Sequence, residues 1–285
     1  MAILSGKFCT IAFIVSSGRT GTTALAQHLD ACYPEVRALH EPRPSWRLRR
    51  ASAKALCGKI GRDELARLLA DSRLTLLETI VEPVYIESNP YLGGFIEAFG
   101  QVFDRPRIIH VVRDPRSFIR SSMNFGTFRG IKQLAQSLIP YWLPRPEDCP
   151  GWTHLHWADM SEPLRLAWYW ALINRELNRG EQLYGPLYCR VRFEELFARD
   201  GSGLYALTDW LGLPRSQELV AAANRENVNA SGGGSFPPAS QWDRDLHERV
   251  LEYCGELMRL YGYDAHARPD SRDSQQAAAG APGQR

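Results

Sequence analysis

Cys9-Thr-Ile-Ala-Phe-Ile-Val15, followed directly by Ser16-Ser-Gly-Arg-Thr-Gly-Thr-Thr23 and then Ala24-Leu-Ala-Gln-His-Leu-Asp-Ala31, decides the fold class. The first stretch is an unbroken β-branched and aromatic run, the pattern of a strand buried on both faces of a parallel sheet. The second breaks it with two glycines. The third places Ala24, Leu25, Ala26 and Leu29 at helical spacing, so the unit reads strand, tight loop, helix. Backbone N–H groups of such a loop and of the helix start converge on one point, which suits an oxyanion. Gly18 and Gly21 let the backbone approach a ligand, Thr20, Thr22 and Thr23 offer hydroxyls, and Arg19 brings charge.

Working outward, further strands are expected near residues 36–39, 85–87, 107–112 and 187–191, with helices near 62–70, 91–99, 115–125, 164–178, 204–211 and 244–261. Strands alternating with helices predict an α/β fold, a three-layer αβα arrangement around a central parallel sheet. Residues 1–265 are expected to form a single domain. Between 126 and 163 the pattern lapses into a Pro- and Trp-rich insertion over one edge of the sheet. A flexible loop is expected at about 229–240 and a disordered tail at 266–285.

The loop departs from the phosphate-binding loop of nucleotide hydrolases, which needs a lysine directly before its Ser/Thr; here Gly21 is followed by Thr22. The strand Arg107-Ile-Ile-His-Val-Val112 ends on Arg113, where an Mg²⁺-dependent hydrolase would be expected to place an acid. A cation at that point suits an anion better than a metal. Ser121 stands eight residues beyond Arg113, a little over two helical turns into the next helix.

A strand, an SxxGTT-type loop and helix, then a strand ending in Arg113-Asp-Pro-Arg116 with Ser121 beyond it, resembles the sulfotransferase family that uses 3′-phosphoadenosine 5′-phosphosulfate (PAPS). Val191-Arg-Phe-Glu-Glu-Leu196 and Trp210-Leu-Gly-Leu-Pro214 are similar to segments that close that family's core, so the resemblance runs from about residue 9 to 263. It implies that Ser17, Gly18, Arg19, Thr20, Gly21, Thr22 and Thr23 hold the donor's 5′-phosphosulfate, and that Arg113 and Ser121 hold its 3′-phosphate. Two departures stand out: many cytosolic members have Lys where Arg19 stands, and their late RKG segment is missing, with Ser231–Ser235 as a weak substitute. The implied reaction is sulfuryl transfer to a hydroxyl or amine of a small-molecule, carbohydrate or lipid-like acceptor, with no metal required. Positioning and electrostatics dominate such chemistry, and Arg19 is the expected stabiliser of the leaving oxygen.

A general base must take the acceptor's proton. Glu41 and His40, in Ala38-Leu-His-Glu-Pro-Arg43 at the end of the next strand, are both candidates, with ion pairing to Arg43 as the plain alternative for Glu41. His110, inside an apolar strand, reads as a core residue. Trp142, Trp152, Trp157, Trp168 and Trp170 could line an acceptor cleft, although Trp168 and Trp170 share a helix and at least one belongs to the core. A kinase or nucleotide hydrolase, and a non-catalytic nucleotide-binding module, are the competing readings.

Composition sets the outer bounds. A chain of 285 residues, 44% hydrophobic and 23% charged, can bury one substantial core. Its net charge of +2 is too small a bias to imply a nucleic-acid or membrane surface by itself. Six cysteines without a CxxC pair read as free thiols, and the early apolar run is too short to span a bilayer, so a cytoplasmic location is expected.

Overall fold

Five strands and their crossover helices arrange themselves as the alternation demands. In this computed structural model, which describes residues 7–225 and 235–264, the strands are β1 (Thr10–Val15), β2 (Val36–His40), β3 (Val84–Ser88), β4 (Arg107–Val112) and β5 (Tyr188–Arg192). They form one parallel sheet in the order β2-β3-β1-β4-β5. The helices are α1 (Thr22–Cys32), α2 (Ser45–Leu56), α3 (Arg62–Thr79), α4 (Phe99–Val102), α5 (Pro115–Asn124), α6 (Gly130–Leu138), α7 (Glu162–Asn178), α8 (Gly180–Tyr184), α9 (Phe193–Leu196), α10 (Ser202–Leu211), α11 (Gln217–Arg225) and α12 (Arg244–Leu260).

Alternate residues of β1 explain the layering. Phe13 and Val15 pack with Tyr85 and Ile108 against Leu69 and Leu77 of α3, Phe99 of α4 and Ile173 of α7. Ala12 and Ile14 pack with Ile86 and Ile109 on the other face, against Leu25 and Leu29 of α1, Leu204 and Leu211 of α10 and Leu219 of α11. Both faces of the strand are therefore dry, at about 1.5–3 kcal/mol for each large side chain fully buried. A third apolar cluster joins α5, α7, α12 and the segment after α6 around Trp168 and Trp170, both fully buried. Register aligns the carboxyl ends: His40 of β2 lies opposite Ser88 of β3, and Ser88's strand neighbour in β1 is Ile14. The loops that follow β1, β2, β3 and β4 open on the same edge.

One polar structure runs through this core. Arg73 of α3 and Glu87 of β3, each almost wholly buried, meet through two 2.6 Å contacts, Nε to Oε2 and Nη2 to Oε1. Tyr85 donates its hydroxyl to Glu87 at 3.0 Å and Asn89 its amide at 3.0 Å. A buried charge pair survives only when its remaining lone pairs are also met, and here they are.

Several expectations change. The helix at 91–99 is a 3-10 turn, Pro90–Phe95, followed by the short α4. Helices α2, α6 and α11 were not foreseen: α2 hides its buried Leu48, Ala51, Ser52 and Ala53 among five basic and polar neighbours, and α6 lies inside the insertion with no buried residue at all. The expectation of free thiols is wrong for one pair. Cys57, which caps α2, is disulfide-bonded to Cys149 in the insertion, 92 residues away, whereas Cys9, Cys32, Cys189 and Cys254 are free. Spacing in sequence carries no sign of a bond that closes so long a loop. Half of the expected flexible loop at 229–240, most of its Ser231–Ser235 element, and the tail at 266–285 lie outside the described residues. No helix among the described residues is long and apolar enough to cross a membrane.

Candidate active site

The loop after β1 is held by its own hydroxyls. Ser16 Oγ accepts from the Gly18 N–H at 3.1 Å and from the Thr20 hydroxyl at 2.9 Å. Thr20 is therefore an internal brace, and its hydroxyl is not the free donor expected from sequence. Gly21 (φ 68°) begins α1 in the left-handed region, and a Cβ there would come within 2.8 Å of the Phe197 ring. Only glycine fits both demands. Arg19 also has a left-handed backbone, φ 56°, and so does Glu41, φ 46°. Non-glycine residues rarely take that conformation, and where they do it often marks a functional turn. Ser17, 5% exposed, keeps its Oγ buried without a hydrogen-bond partner among the described residues. An orphaned hydroxyl at a helix N-terminus in a Gly-bearing loop fits an oxyanion ligand.

The two basic motifs meet. Arg113 Nη1 donates to the Arg19 carbonyl at 2.7 Å, and Arg19 Nε donates to Ser121 Oγ at 3.2 Å. Arg19 lies 4.2 Å over the Phe125 ring and Arg113 4.3 Å over the Phe193 ring. Burial, and after it the neighbouring Arg113 charge, pull the Arg19 pKa below the ordinary guanidinium value. Lys132 of α6 is lowered in the same way, by burial and then by Arg19. No carboxylate forms an ion pair with Arg19 or Lys132 among the described residues, so an anion bound here would relieve both burial and mutual repulsion. Asp114, the neighbour that could have paired with Arg113, instead caps α5 and holds Arg116 at 2.6 Å. Its N–H donates to Glu194, whose carboxyl burial pushes upward and which also accepts from Tyr263 at 2.8 Å.

At the end of β2, His40 uses both ring nitrogens. Nδ1 lies 3.0 Å from Ser88 Oγ and Nε2 lies 2.9 Å from Thr23 Oγ1. Ser88 gives its own proton to the Thr22 carbonyl at 3.0 Å, so it can only accept from Nδ1–H, which leaves Nε2 to accept from Thr23. Glu41 Oε1 stands 3.4 Å from His40 Nε2, with the Glu41 side chain 30% exposed. No ion pair joins Glu41 to Arg43 among the described residues.

A cavity of about 410 Å³ connects these groups. Every residue from Ser17 to Thr23 lines it, as do His40 and Glu41. Arg113 and Ser121 do not reach its wall; they border it through Arg19. Beyond Glu41 the lining turns aromatic, with Phe118, Phe128, Trp142, Trp157 and Tyr169. Trp142 and Trp157 thus occupy the expected cleft. Trp168 and Trp170 belong to the core, Trp170 donating to the Arg113 carbonyl at 3.0 Å, and Trp152 packs edge-on against Trp168. Sequence reasoning missed Arg49, which lies between the Tyr91 and Trp142 rings at 4.5 and 4.1 Å and donates to the Trp142 carbonyl at 2.8 Å. Its signal was hidden in the arginine-rich run around it. His110 is a satisfied core residue, 2.7 Å from Tyr188 Oη and 2.9 Å from Asn174 Oδ1.

The comparisons agree with this geometry. The chain resembles sulfotransferase STF9 from Mycobacterium avium (TM-score 0.57, 13% identity, covering 91% of this chain and 78% of that one). It also resembles the sulfotransferase domain of the Synechococcus PCC 7002 olefin synthase (0.53, 17%, 93% and 98%) and the sulfotransferase domain from the curacin biosynthetic pathway (0.51, 15%, 91% and 99%). At these identities the likeness establishes the fold. Among curated proteins none matches in sequence. The sequence model of the Sulfotransferase family matches residues 12–145, a span that contains most of β1, its loop, Glu41, Arg113 and Ser121. A little under half of the chain thus carries the Sulfotransferase family's sequence pattern, and the fold is that of the solved sulfotransferases it resembles.

Proposed function

We propose that this sulfotransferase takes its sulfuryl group from PAPS and delivers it to a hydroxyl or amine of a small, carbohydrate or lipid-like acceptor held in the aromatic half of the cavity. The observation that carries the reading is the meeting of two motifs far apart in sequence: Arg113 on the Arg19 carbonyl and Arg19 on Ser121, behind a loop whose Ser17 hydroxyl is left over. One cationic site holding two anionic groups matches a nucleotide phosphorylated at both ends. Ser17 to Thr23 would hold the 5′-phosphosulfate, and Arg113 and Ser121 the 3′-phosphate. When bound, PAPS supplies the activated sulfuryl group.

Each residue of the chain then has a separable task. Arg19 neutralises charge on the oxygen that departs with the 5′-phosphate, helped by the N–H groups at the start of α1. Glu41, whose half-buried carboxylate lies in the cavity wall beside His40, takes the acceptor's proton. His40, with both nitrogens engaged, fixes the Thr23 hydroxyl to Ser88 of β3. Residues 1–265 act as one domain in this reading. A cytoplasmic location goes with it as the default, against which the Cys57–Cys149 bond weighs, because disulfides persist in oxidising compartments.

Conversion of PAPS to its 3′,5′-bisphosphate product (PAP), followed over a panel of alcohols and amines, tests the assignment of the base. Glu41→Gln should lose roughly 10²–10⁴-fold in turnover with unchanged affinity for PAP. Turnover equal to wild type would remove Glu41 from the role.

A further inference from the structure

Helix α6 is turned inside out. A surface helix of a globular protein normally lays its apolar stripe on the core. In α6 the polar Lys132 and Gln136 line the active-site cavity, and Gln133 and Ser137 line the adjoining cleft. Ile131, Leu134 and Leu138, three and four residues apart and so on one face, are 86%, 57% and 70% exposed. None of the helix is buried.

The ground around this apolar face is strongly basic, although the chain as a whole is not. Residues 42–62 carry seven Lys or Arg and residues 115–146 carry five, and neither stretch contains an Asp or Glu, in a chain with 34 basic and 32 acidic residues. Of those twelve cations only Arg62 and Arg116 are in ion pairs with carboxylates among the described residues. The two stretches are joined in space: Arg50 of α2 donates to the Pro140 carbonyl at 3.1 Å, just past the end of α6, and Arg49 to that of Trp142. Trp46, at the start of α2, adds a 51% exposed indole.

We propose that the outer face of α6, with the basic flank of α2, docks on an anionic lipid surface. An amphipathic helix that presents aliphatic side chains outward among unpaired Lys and Arg suits the headgroup boundary of a bilayer, where apolar insertion and attraction to acidic headgroups act together. The charge pattern decides for a lipid surface over a second copy of this chain, because two copies meeting on this face would bring the exposed Arg43, Arg47, Lys59 and Arg129 against their like, while the carboxylates Glu147 and Glu162 line the cleft beside Gln133 and Ser137. Docked this way, the cavity beneath α6 receives its acceptor from the lipid side, a consequence that rests on the sulfotransferase reading whereas the docking does not.

Sedimentation of the full chain with phosphatidylcholine vesicles, with and without phosphatidylglycerol, tests the proposal, with PAP titration of the same preparations as a separate readout. The expected result is binding to the anionic vesicles about tenfold or more above the neutral ones, weakened by salt. Ile131/Leu134/Leu138→Ser and, independently, Arg47/Arg129→Glu should each cost about tenfold in that binding with PAP affinity unchanged. Equal partition of wild type into both vesicle types, or anionic binding that both variants retain, overturns the docking. A concentration-dependent dimer without vesicles, abolished by the serine variant, overturns it in favour of a second copy. Loss of PAP binding in wild type would count against the donor assignment and leave the vesicle result to stand alone.

Discussion

The loop half of the cavity, proposed for the donor, and the aromatic half, proposed for the acceptor, are built on different principles. On the donor side the backbone is preorganised: Ser16 braces its loop from within, Gly21 is wedged against Phe197, and Arg113 is fixed on the Arg19 carbonyl. Beneath it lies the dry Arg73–Glu87 pair, with Asn89 bonded both to Glu87 and, through its N–H at 3.0 Å, to the Ile14 carbonyl of β1. On the acceptor side an exposed helix and a Trp-rich segment are tied to the body by a disulfide, an arginine stacked between two rings, and contacts to carbonyls. In the proposed reading the invariant donor meets rigid backbone, and the acceptor, which can vary, meets side chains on an appendage. Specificity in such an enzyme can change without disturbing the donor site.

That contrast can be broken first at its floor. Arg73→Met leaves the Glu87 carboxylate buried and uncompensated, and should lower stability by about 3–5 kcal/mol. Urea unfolding reads the loss, and the double variant Arg73→Met/Glu87→Leu should recover much of it. A single variant as stable as wild type would mean that the pair is not what holds the end of β3.

The tie of the acceptor side comes next. Cys57→Ser should cost about 2–4 kcal/mol if the bond is intact in the isolated protein, while PAP affinity is unchanged, because the bond holds α2 to the insertion and not to the loop. Thiol titration of the denatured chain without reductant should then count four free cysteines of the six present. A count of six would remove the tie.

A smaller effect separates core from site by pH. Burial pushes the His110 pKa down to about 3. Its folded value lies below its unfolded value of about 6.5, so the stability it contributes is complete above that pH and is lost as pH falls toward 3. The slope in that window is at most about 1.4 kcal/mol per pH unit. His110→Gln should flatten it relative to wild type. An unchanged slope would show that His110 takes up its proton in the fold.

How much of this was readable in sequence follows the same division. The strand at 107–112 was legible because a strand dry on both faces needs a nearly continuous apolar run, the half-buried edge strands at 36–39 and 187–191 show that run only in part, and the loop was legible because Gly18 and Gly21 meet backbone demands that other residues do not. The helix α6 carries its period openly in Ile131, Leu134 and Leu138 within the Pro- and Trp-rich insertion, but that this stripe faces outward is set only by the tertiary fold. Cys57–Cys149 and Arg73–Glu87 were hidden in the same way: both join residues brought together only by the tertiary fold, and nothing in their neighbours along the chain points to the partner. The base was half legible. Sequence offered Glu41 and His40 together, and the hydrogen bonds of His40 to Ser88 and Thr23 are the reason Glu41 is the one proposed.

The central claim is that Arg113 and Ser121 complete, with the loop at Ser17 to Thr23, one site for a nucleotide phosphorylated at both ends. Calorimetric titration with PAP in the absence of added metal, against AMP and against Arg113→Ala, tests it most directly. The account predicts that PAP binds more tightly than AMP and that the variant loses about 10- to 150-fold, the equivalent of one charge-assisted hydrogen bond. PAP binding no better than AMP, or unchanged by the loss of Arg113, would contradict it.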